Sequence, residues 1–371
     1  MRERVPWALR APVRRARNAI ALRRAIARQR SRWEEIVATP PRRGGIAVSY
    51  GVDAMPGPND LVYGGHVKFS LLDRSLPNAP RDFNVLYLGS SALPLDAPKL
   101  VELARRRDAA FAWNQDGAAY PGWYGDGWEL VNEPRARLLH EADHVFFQSA
   151  FCKLSADRFY GERQGPWEVL HNPVDTQHFV PAHRGDRPLT LLLGGNQYQR
   201  YRLEVALETL ALVRHERPDA RLLVAGDLSF SPAVRVDGPG VELVGSYTQV
   251  EAPALMQRAD VLLHTKYNDP CPTVVLEAMA SGLPVVYSKS GGTPELVGDD
   301  AGIGVDAPLD WERDHPPPPE ALAEAVLVVA EGLADRAEAA RERSLRFDSQ
   351  RWVERHHSVF TKLVRRGAPV S

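Results

Sequence analysis

Two acidic side chains, eight positions apart, flank a proline-containing loop in the second half of this 371-residue chain. Asp269 lies in the loop that follows an apolar run ending at His264, and Glu277 lies within an apolar segment beginning at Thr273. Carboxylates accept hydrogen bonds well from the vicinal hydroxyl groups of sugars and riboses. The pair therefore indicates a site for a sugar or a nucleoside, although two solvated surface residues would give the same pattern.

A helix that begins at the end of a parallel strand is predicted between these two residues. Pro272 suits its first turn, where the missing N–H group costs nothing, and Gly282 and Pro284 suit its end. The backbone N–H groups of Thr273 and Val274 would then point out of the carboxyl edge of the sheet. Such a helix N-terminus binds anions and suits a diphosphate.

The elements that must position these groups alternate between strand and helix from residue 46 onward. Short apolar strands are predicted at 46–50, 84–88, 109–113, 144–148, 167–170, 189–193, 221–225, 241–244, 261–264 and 284–287. Helices are predicted at 99–107, 151–159, 203–216, 252–258, 273–280, 320–346 and 351–365. This alternation predicts βαβ units with parallel sheets, and the polar stretch 181–188 is a linker candidate. We therefore expect an α/β protein with two Rossmann-like domains facing a central cleft.

Composition is typical of a globular protein, with 44% hydrophobic and 25% charged residues and a formal net charge of −1. No apolar run approaches the about 20 residues that span a bilayer, and no signal peptide is evident. We therefore expect a cytoplasmic chain. The net charge gives no indication of nucleic-acid binding. Cys152 and Cys271 are the only cysteines, and they are expected to be reduced thiols rather than a disulfide or a zinc site.

The N-terminal 45 residues differ from the rest, because they contain thirteen arginines and three glutamates and carry a local net charge of +10. Residues 1–38 lack glycine and are rich in Ala, Arg and Leu, so they are predicted to be helical. One interpretation is a helix that rests on an anionic membrane surface, which would make the chain peripheral at the inner face of the plasma membrane. The other is a helix that is solvated or packed on its own domain.

The stretch from Asp269 to Glu295 resembles the signature of the family-four retaining glycosyltransferases, which have the GT-B fold. Their pattern is two glutamates separated by seven residues, the second followed by Ala-Met-Ala-x-Gly-x-Pro-Val-Val and a downstream Gly-Gly-x-x-Glu. Here Glu277-Ala-Met-Ala-Ser-Gly-Leu-Pro-Val-Val286 and Gly291-Gly-Thr-Pro-Glu295 match. The resemblance implies that Glu277 binds the nucleotide ribose and that Asp269 holds the hydroxyl groups of the donor sugar.

This sequence departs from the family pattern in two loops, the one that meets the donor sugar and the one that meets the diphosphate. The usual Glu-Gly-Phe-Gly is Asp269-Pro-Cys-Pro272, which shortens the acidic side chain by one methylene and removes one backbone N–H group. The loop that carries an Arg and a Lys on the diphosphate in the family is Gly194-Gly-Asn-Gln-Tyr-Gln-Arg-Tyr-Arg202. Asn196 takes the Arg position, and either Arg200 or Arg202 could take the Lys position. An exposed arginine is the alternative interpretation.

Further stretches resemble other parts of the same fold. The run from Val169 to Pro181 is similar to the end of the family's first domain. The resemblance also implies that the glycine pair Gly64 and Gly65 faces donor and acceptor, although a simple turn would give the same pattern. It places Gly226 and Tyr247 near the base, and either Asn114 or Asp116 where the family has a histidine near the reacting sugar. The aromatic stretch 120–128 is interpreted as an acceptor surface or as part of the core.

The resemblance implies a retaining glycosyltransferase that moves a sugar from a nucleotide-diphosphate donor to a glycan or lipid-linked acceptor. We expect four segments. They are a basic helical extension at 1–40, the acceptor domain at 41–183, the nucleotide-sugar domain at 184–347 and, at 348–371, a C-terminal helix that crosses back to the first domain. No Asp-x-Asp triplet occurs, so neither a metal nor another cofactor is expected. A nucleotide-sugar epimerase and a catalytically inactive nucleotide-sugar-binding protein remain alternatives.

Overall fold

The structure is a computed structural model that describes residues 29–57, 59–62, 64–196, 198–228 and 235–367. Most of the predicted N-terminal helix, residues 1–28, lies outside these ranges. Its last part is helix α1, Arg30–Ala38, which packs on the first domain. There Ile36 is buried and the Trp33 Nε1–H group donates to Asp96 Oδ2 at 2.7 Å. For this described part, packing on the chain's own domain is therefore the correct interpretation.

Within the described residues, the first sheet has five parallel strands in the order β1-β2-β3-β4-β5. Their bounds are Val48–Ser49, Val85–Gly89, Ala110–Gln115, His144–Phe147 and Trp167–Val169. Helices α2 to α6 run between them at Gly64–Asp73, Ala97–Arg106, Pro121–Tyr124, Trp128–Glu141 and Ala150–Tyr160. Strand β2, which lies between β1 and β3, is buried along its whole length, as expected for a parallel sheet covered on both faces.

The second sheet, over the same described ranges, has six parallel strands in the order β11-β10-β9-β6-β7-β8. In chain order, β6 to β11 are Thr190–Leu193, Arg221–Ala225, Val241–Gly245, Val261–His264, Val285–Lys289 and Gly302–Asp306. Helices α7 to α12 are Arg200–Glu216, Ala252–Met256, Thr273–Ala280, Thr293–Val297, Pro319–Glu331 and Leu333–Ser344. The predicted single helix 320–346 is thus two helices, and they meet at Gly332.

The last helix, α13 at Ser349–Gly367, returns to the first sheet. Trp352 and Phe360 are buried against that sheet, and His356 Nε2 lies 2.8 Å from the Tyr87 hydroxyl group. The expected architecture, two Rossmann-like domains with a C-terminal helix crossing back, is confirmed. None of the helices in the described ranges combines the length and the hydrophobicity needed to cross a bilayer.

Candidate active site

A cleft of about 710 Å³ lies between the two sheets, at the carboxyl ends of their strands. Most of the predicted site residues line it: Gly65, Asp116, Asn196, Arg202, Gly226, Tyr247, Asp269, Thr273, Val274 and Glu277. Three predicted residues are not among its lining residues: Gly64, Asn114 and Arg200. The two domains contribute opposite walls, so the cleft can hold one ligand against groups from both.

Helix α9 begins at Thr273, as predicted, with its N-terminus at the cleft. Its apolar side chains, from Val274 to Ala280, are buried in the core of the second domain, which fixes the direction of the helix. Pro272 lies at the N-cap, one position before the predicted first turn. The first N–H groups of a helix have no intrahelical acceptor, so those of Thr273 and Val274 are suited to an anion in the cleft.

Glu277 lies one turn further along α9 and is 5% exposed. Its Oε1 atom accepts a hydrogen bond of 3.3 Å from the Gln249 side chain. Burial raises the pKa of the Glu277 carboxyl to about 7, against the smaller opposing effect of that hydrogen bond. A buried carboxyl group that lines a cleft is placed to accept hydrogen bonds from ligand hydroxyl groups.

Asp269 belongs to an ionic cluster at the end of strand β9. Its Oδ2 atom lies 3.2 Å from Lys266 Nζ and 3.3 Å from His264 Nε2. Burial opposes ionisation, but Lys266, His264 and Arg202 outweigh it and hold the pKa of Asp269 well below its usual range. The Asp269 carboxylate is therefore ionised in the cleft at neutral pH.

The Gly-Gly-x-x-Glu segment holds the Asp269 loop and also reaches the first domain. The Gly292 N–H group donates to the Asp269 carbonyl at 2.8 Å, and a Cβ at Gly292 would overlap the Pro270 carbonyl oxygen. Glu295 accepts hydrogen bonds of 2.8 and 3.0 Å from the backbone N–H groups of Ala150 and Phe151, at the start of α6. The segment therefore connects the acidic loop to the opposite wall of the cleft.

Arg202 is the arginine that the structure brings to the cleft. It is 4% exposed, and its Nη1 atom donates to the Asn196 carbonyl at 2.7 Å. Within the described ranges its buried Nε atom has no hydrogen-bond partner. Arg200 instead points to solvent and pairs with Glu204 at 2.7 Å. Arg200 and Arg202 are two residues apart on α7, so their side chains point in different directions. Only one of the two can therefore reach the cleft.

Asn196 and Gly226 shape the second-domain wall. The Asn196 Oδ1 atom accepts a hydrogen bond of 2.9 Å from the Asp227 N–H group. Gly226 has φ +109°, and a Cβ there would overlap the Gly195 carbonyl oxygen, so the position requires glycine. Tyr247 lines the same wall, where burial raises the pKa of its hydroxyl group.

On the first-domain wall, Asp116 faces the cleft and Asn114 does not. The Asp116 Oδ1 atom accepts a hydrogen bond of 2.5 Å from the Ser90 hydroxyl group, and burial raises the pKa of this carboxyl. Asn114 is fully buried, because strand β3 continues to Gln115 instead of ending at Trp113. Asn114 is therefore not among the residues that line the cleft. Gly64 begins α2, and Gly65 in the same turn lines the cleft.

The aromatic stretch 120–128 is divided between core and surface. Tyr120 is buried and its ring centroid lies 5.1 Å from that of Trp311, a residue of the second domain. Trp311 also contacts Phe151 and Phe159, with centroids 5.4 and 5.3 Å away. Trp123 lines the cleft and is 46% exposed. Burial is therefore the correct interpretation for Tyr120, and an acceptor surface at Trp123 stays a prediction.

Comparison with known proteins gives a consistent result for the second domain. Residues 187–331 match the family model described as "Glycosyl transferases group 1". The chain is 29% identical over 141 residues to the sulfoquinovosyl transferase SQD2 of Arabidopsis thaliana and 27% identical over 192 residues to a glycogen synthase of Mycobacterium tuberculosis. The second domain is therefore similar to the group 1 glycosyl transferases. These alignments cover 34% and 49% of this chain, and they span less than half of each relative, 27% and 46%.

Comparison with solved structures shows that the chain has the GT-B fold over most of its length. The sucrose-phosphate synthase of Thermosynechococcus elongatus superposes with a TM-score of 0.60 at 18% identity, covering 80% of this chain and 76% of that one. The Anabaena protein HepE, solved in complex with UDP-glucose, gives a TM-score of 0.60 at 17% identity, covering 80% and 82%.

Among the polar residues that line the cleft, sequence reasoning missed Lys68, His264 and Lys266. His264 and Lys266 carried a usable signal, since polar residues at the carboxyl end of an apolar strand face the ligand edge of a parallel sheet. Lys68 carried none, because it lies in a helix that the apolar pattern did not reveal. Within the described part of the chain, no group of three or more His, Cys, Asp or Glu residues is arranged to hold a metal ion.

Proposed function

We propose that this chain is a retaining glycosyltransferase that moves a sugar from a nucleotide-diphosphate donor to a hydroxyl group of a glycan or a lipid-linked acceptor. The observation that carries the proposal is the arrangement on the second-domain wall. There a buried carboxyl group, Glu277, a helix N-terminus at Thr273 and a buried arginine, Arg202, line one cleft. These groups match a hydroxyl-bearing ribose and an anionic diphosphate.

Each part of the donor has a complementary group in this arrangement. Glu277 accepts hydrogen bonds from the ribose hydroxyl groups. The N–H groups of Thr273 and Val274 meet the diphosphate, and the Arg202 Nε–H group, which has no partner within the described ranges, adds a charged donor. Asp269, held ionised by Lys266 and His264, accepts hydrogen bonds from the hydroxyl groups of the donor sugar.

The proposed reaction is a front-face substitution that needs no enzyme nucleophile. The acceptor oxygen bonds to the anomeric carbon as the bond from that carbon to the diphosphate oxygen breaks on the same face. The acceptor proton passes to the departing diphosphate oxygen. The helix N-terminus and Arg202 stabilise the negative charge that grows on the diphosphate, and this is the step at which fixed dipoles and cations contribute most. Asp116, on the opposite wall, is the candidate for holding an acceptor hydroxyl group.

The names of curated relatives support both classes of acceptor. One relative is a glycogen synthase, which supports a glycan. Two others are the phosphatidylinositol N-acetylglucosaminyltransferase gpi3 subunit of Schizosaccharomyces pombe and a GDP-mannose-dependent phosphatidylinositol monomannoside mannosyltransferase of Mycolicibacterium smegmatis. Their names indicate lipid-linked acceptors. We expect neither a metal nor another cofactor in the reaction.

Thermal unfolding of the full chain with UDP, GDP, ADP and their sugar conjugates tests the donor site. A ligand at about 100 times its dissociation constant should add about 2.7 kcal/mol of stability. We expect stabilisation by one base series, its loss in Glu277→Ala, and its retention in the matched control Glu324→Gln, which lies on an exposed face of α11. No stabilisation by any nucleotide would contradict the proposal.

Product analysis separates transfer from the two alternatives. Incubation with the stabilising nucleotide sugar and a panel of glycan and lipid acceptors should yield a glycosylated acceptor and free nucleoside diphosphate. Isomerisation of the nucleotide sugar without an acceptor would indicate an epimerase. Binding with neither product would indicate an inactive nucleotide-sugar-binding protein. NMR analysis of the anomeric configuration in the product tests retention.

We also propose that the basic segment before helix α1, residues 1–28, contacts an anionic membrane surface, a hypothesis that rests on its charge. Residues 1–28 lie outside the described part of the structure, so liposome flotation is the direct test. The full chain should float with vesicles that contain phosphatidylglycerol, and a chain without residues 1–28, which keeps helix α1, should not. Equal flotation of both chains would contradict this hypothesis.

A further inference from the structure

Lys68 is a buried cation on the first-domain wall of the cleft. Its side chain is 1% exposed, and its Nζ atom lies 2.6 Å from Asn114 Oδ1 and 3.4 Å from Asn172 Oδ1. Both acceptors are neutral amides, and among the described residues no carboxylate forms an ion pair with Nζ. A buried ammonium group without a counter-ion is costly, so this position requires an explanation.

The residues around Lys68 form a closed polar network that holds the ammonium group in one place. Gln148 Nε2 donates to Asn114 Oδ1 at 2.8 Å, and Asn172 Nδ2 donates to Gln148 Oε1 at 2.9 Å. All four side chains of this network are buried. Any neutral donor would satisfy the two amide oxygens, so the network explains where the ammonium group lies but not why it carries a charge.

The same network reaches the anion site of the second domain. The Asn172 Nδ2 atom also donates to the Cys271 carbonyl at 2.8 Å, and Cys271 comes two residues before Thr273, where α9 begins. Lys68 lines the same cleft as Thr273. One asparagine therefore links the buried ammonium group of the first domain to the residues that precede the N-terminus of α9.

The charges that line the cleft indicate which counter-ion the Lys68 ammonium group could take. A diphosphate brings at least two negative charges into the cleft. On the second-domain wall Asn196 is neutral and Lys266 is paired with Asp269 at 3.2 Å, which leaves Arg202 as the available cation among the described residues of that wall. On the first-domain wall Arg135 and Lys68 both line the cleft, and of these two Lys68 is the buried cation. Burial lowers the pKa of Lys68 to about 8, against the attraction of Asp116, so the group is still mostly protonated at pH 7.

We propose that Lys68 binds the donor diphosphate from the first domain, opposite Arg202 and the N-terminus of α9. This inference rests on the proposed function and adds a residue to it. The Nζ–H group donates to a diphosphate oxygen and keeps its proton throughout, while the acceptor proton passes to the departing oxygen. Because Lys68 and Arg202 lie on different domains, the diphosphate meets a buried cation from each wall.

Calorimetric titration of the full chain with matched ligands tests this role. UDP, GDP and ADP are each compared with uridine, guanosine and adenosine, which lack phosphate. Lys68→Gln retains a neutral hydrogen-bond donor for the amide network, and Lys362→Gln, exposed on α13, is the matched control. We expect Lys68→Gln to weaken binding of the preferred nucleoside diphosphate about 10- to 100-fold. It should change the affinity for the matching nucleoside less than about 2-fold, and the control should change neither.

The pH dependence of the unmodified chain gives a second measurement that does not depend on a variant. Affinity for the nucleoside diphosphate should fall as the pH rises above about 8, because Lys68 then loses its proton. The same titration with Lys68→Gln should show no such fall. A flat profile for the unmodified chain between pH 7 and 9.5 would overturn the inference, even if the variant fails to fold.

Failure of this inference is distinguishable from failure of the proposed function. If the unmodified chain binds no nucleoside diphosphate, both are overturned. If it binds one and Lys68→Gln binds it equally well, only the role of Lys68 is overturned. Equal loss of affinity for the nucleoside and for its diphosphate would show that Lys68 merely supports the fold, and this outcome also overturns the inference.

Discussion

The Glu277 carboxyl group and the Gln249 side-chain amide lie 3.3 Å apart on the second-domain wall of the cleft. This long hydrogen bond does not offset the burial of Glu277, whose pKa is raised to about 7. The pKa of Glu277 is higher in the folded state than in the unfolded chain, so protonation of this carboxyl group stabilises the folded state. Stability is therefore lost as the pH rises from the unfolded value, near 4.5, through the folded value.

We predict that Glu277→Gln stabilises the ligand-free chain at pH 8 and not at pH 4.5. The gain at pH 8 should be about 3 kcal/mol, the free energy of the shift between the two pKa values. Urea denaturation of both chains at pH 4.5, 6, 7 and 8 measures the difference. The exposed control Glu324→Gln should show no difference at any of these values. A gain in stability for Glu277→Gln that is the same at all four pH values would contradict the raised pKa of Glu277.

We predict that Asp269→Asn lowers the turnover number by about 100-fold and leaves nucleotide affinity nearly unchanged. The amide cannot accept hydrogen bonds from sugar hydroxyl groups as strongly, and it leaves Lys266 and His264 unpaired beside the reacting sugar. Release of nucleoside diphosphate at saturating donor measures turnover. Asp306→Asn is the control, because Asp306 is exposed and pairs only with Lys289 in the described structure. Full turnover in Asp269→Asn would rule out the proposed role.

We predict that Trp311→Ala lowers the free energy of unfolding by about 2–4 kcal/mol. The half-buried Trp311 ring contacts Tyr120, Phe151 and Phe159 of the first domain, and its removal deletes all three contacts. Guanidinium denaturation measures the loss, and Trp311→Phe should recover at least half of it. The control Trp123→Ala, at a ring that is 46% exposed, should cost less than about 1 kcal/mol.

We predict that Glu295→Gln lowers stability by about 1–3 kcal/mol at pH 7. The carboxylate accepts hydrogen bonds from the Ala150 and Phe151 N–H groups, at the positive end of α6, and from His171 Nε2 at 3.0 Å. Burial opposes ionisation, but the hydrogen bonds from His171 and these two N–H groups lower the pKa of Glu295 below its usual value.

This stabilisation is therefore present above the unfolded pKa of about 4.5 and is lost as the pH falls through the lower folded value. Urea denaturation at pH 3, 5 and 7 should show the difference between Glu295→Gln and the unmodified chain shrinking at the acidic end. The exposed residue Glu338 on α12 provides the matched control, Glu338→Gln, which should behave like the unmodified chain. A difference that persists at pH 3 would contradict this assignment.

The sequence predicted those helices and strands whose bounds are marked by a continuous apolar run and by residues that end an element. Strand β9 and helix α9 have the predicted bounds, because a continuous apolar run and clear stop signals at Gly282 and Pro284 specify them. Strand β11, Gly302–Asp306, was missed. Two of its five residues are glycines, so its sequence has little intrinsic preference for a strand, and pairing with β10 determines its conformation.

The site residues that lie on one continuous segment were predicted from the sequence. Those that only tertiary contacts bring together were missed or left open. Asp269, Thr273 and Glu277 lie on one strand–loop–helix unit, so spacing alone places them together. The choice between Arg200 and Arg202 depends on which face of α7 meets the sheet, and the sequence left it open. Lys68 meets Asn114, Gln148 and Asn172 only through the packing of four separate segments.

The position of Trp311 has a consequence for how quickly anything leaves the cleft. Its ring lies among three aromatic rings of the other domain, and the Gly122 N–H group donates to its carbonyl at 2.8 Å. The two walls cannot separate along this edge until these contacts break together. We therefore expect opening to be an activated event with its own rate. The residence time of a bound molecule would then depend on Trp311 as well as on the groups that touch the molecule.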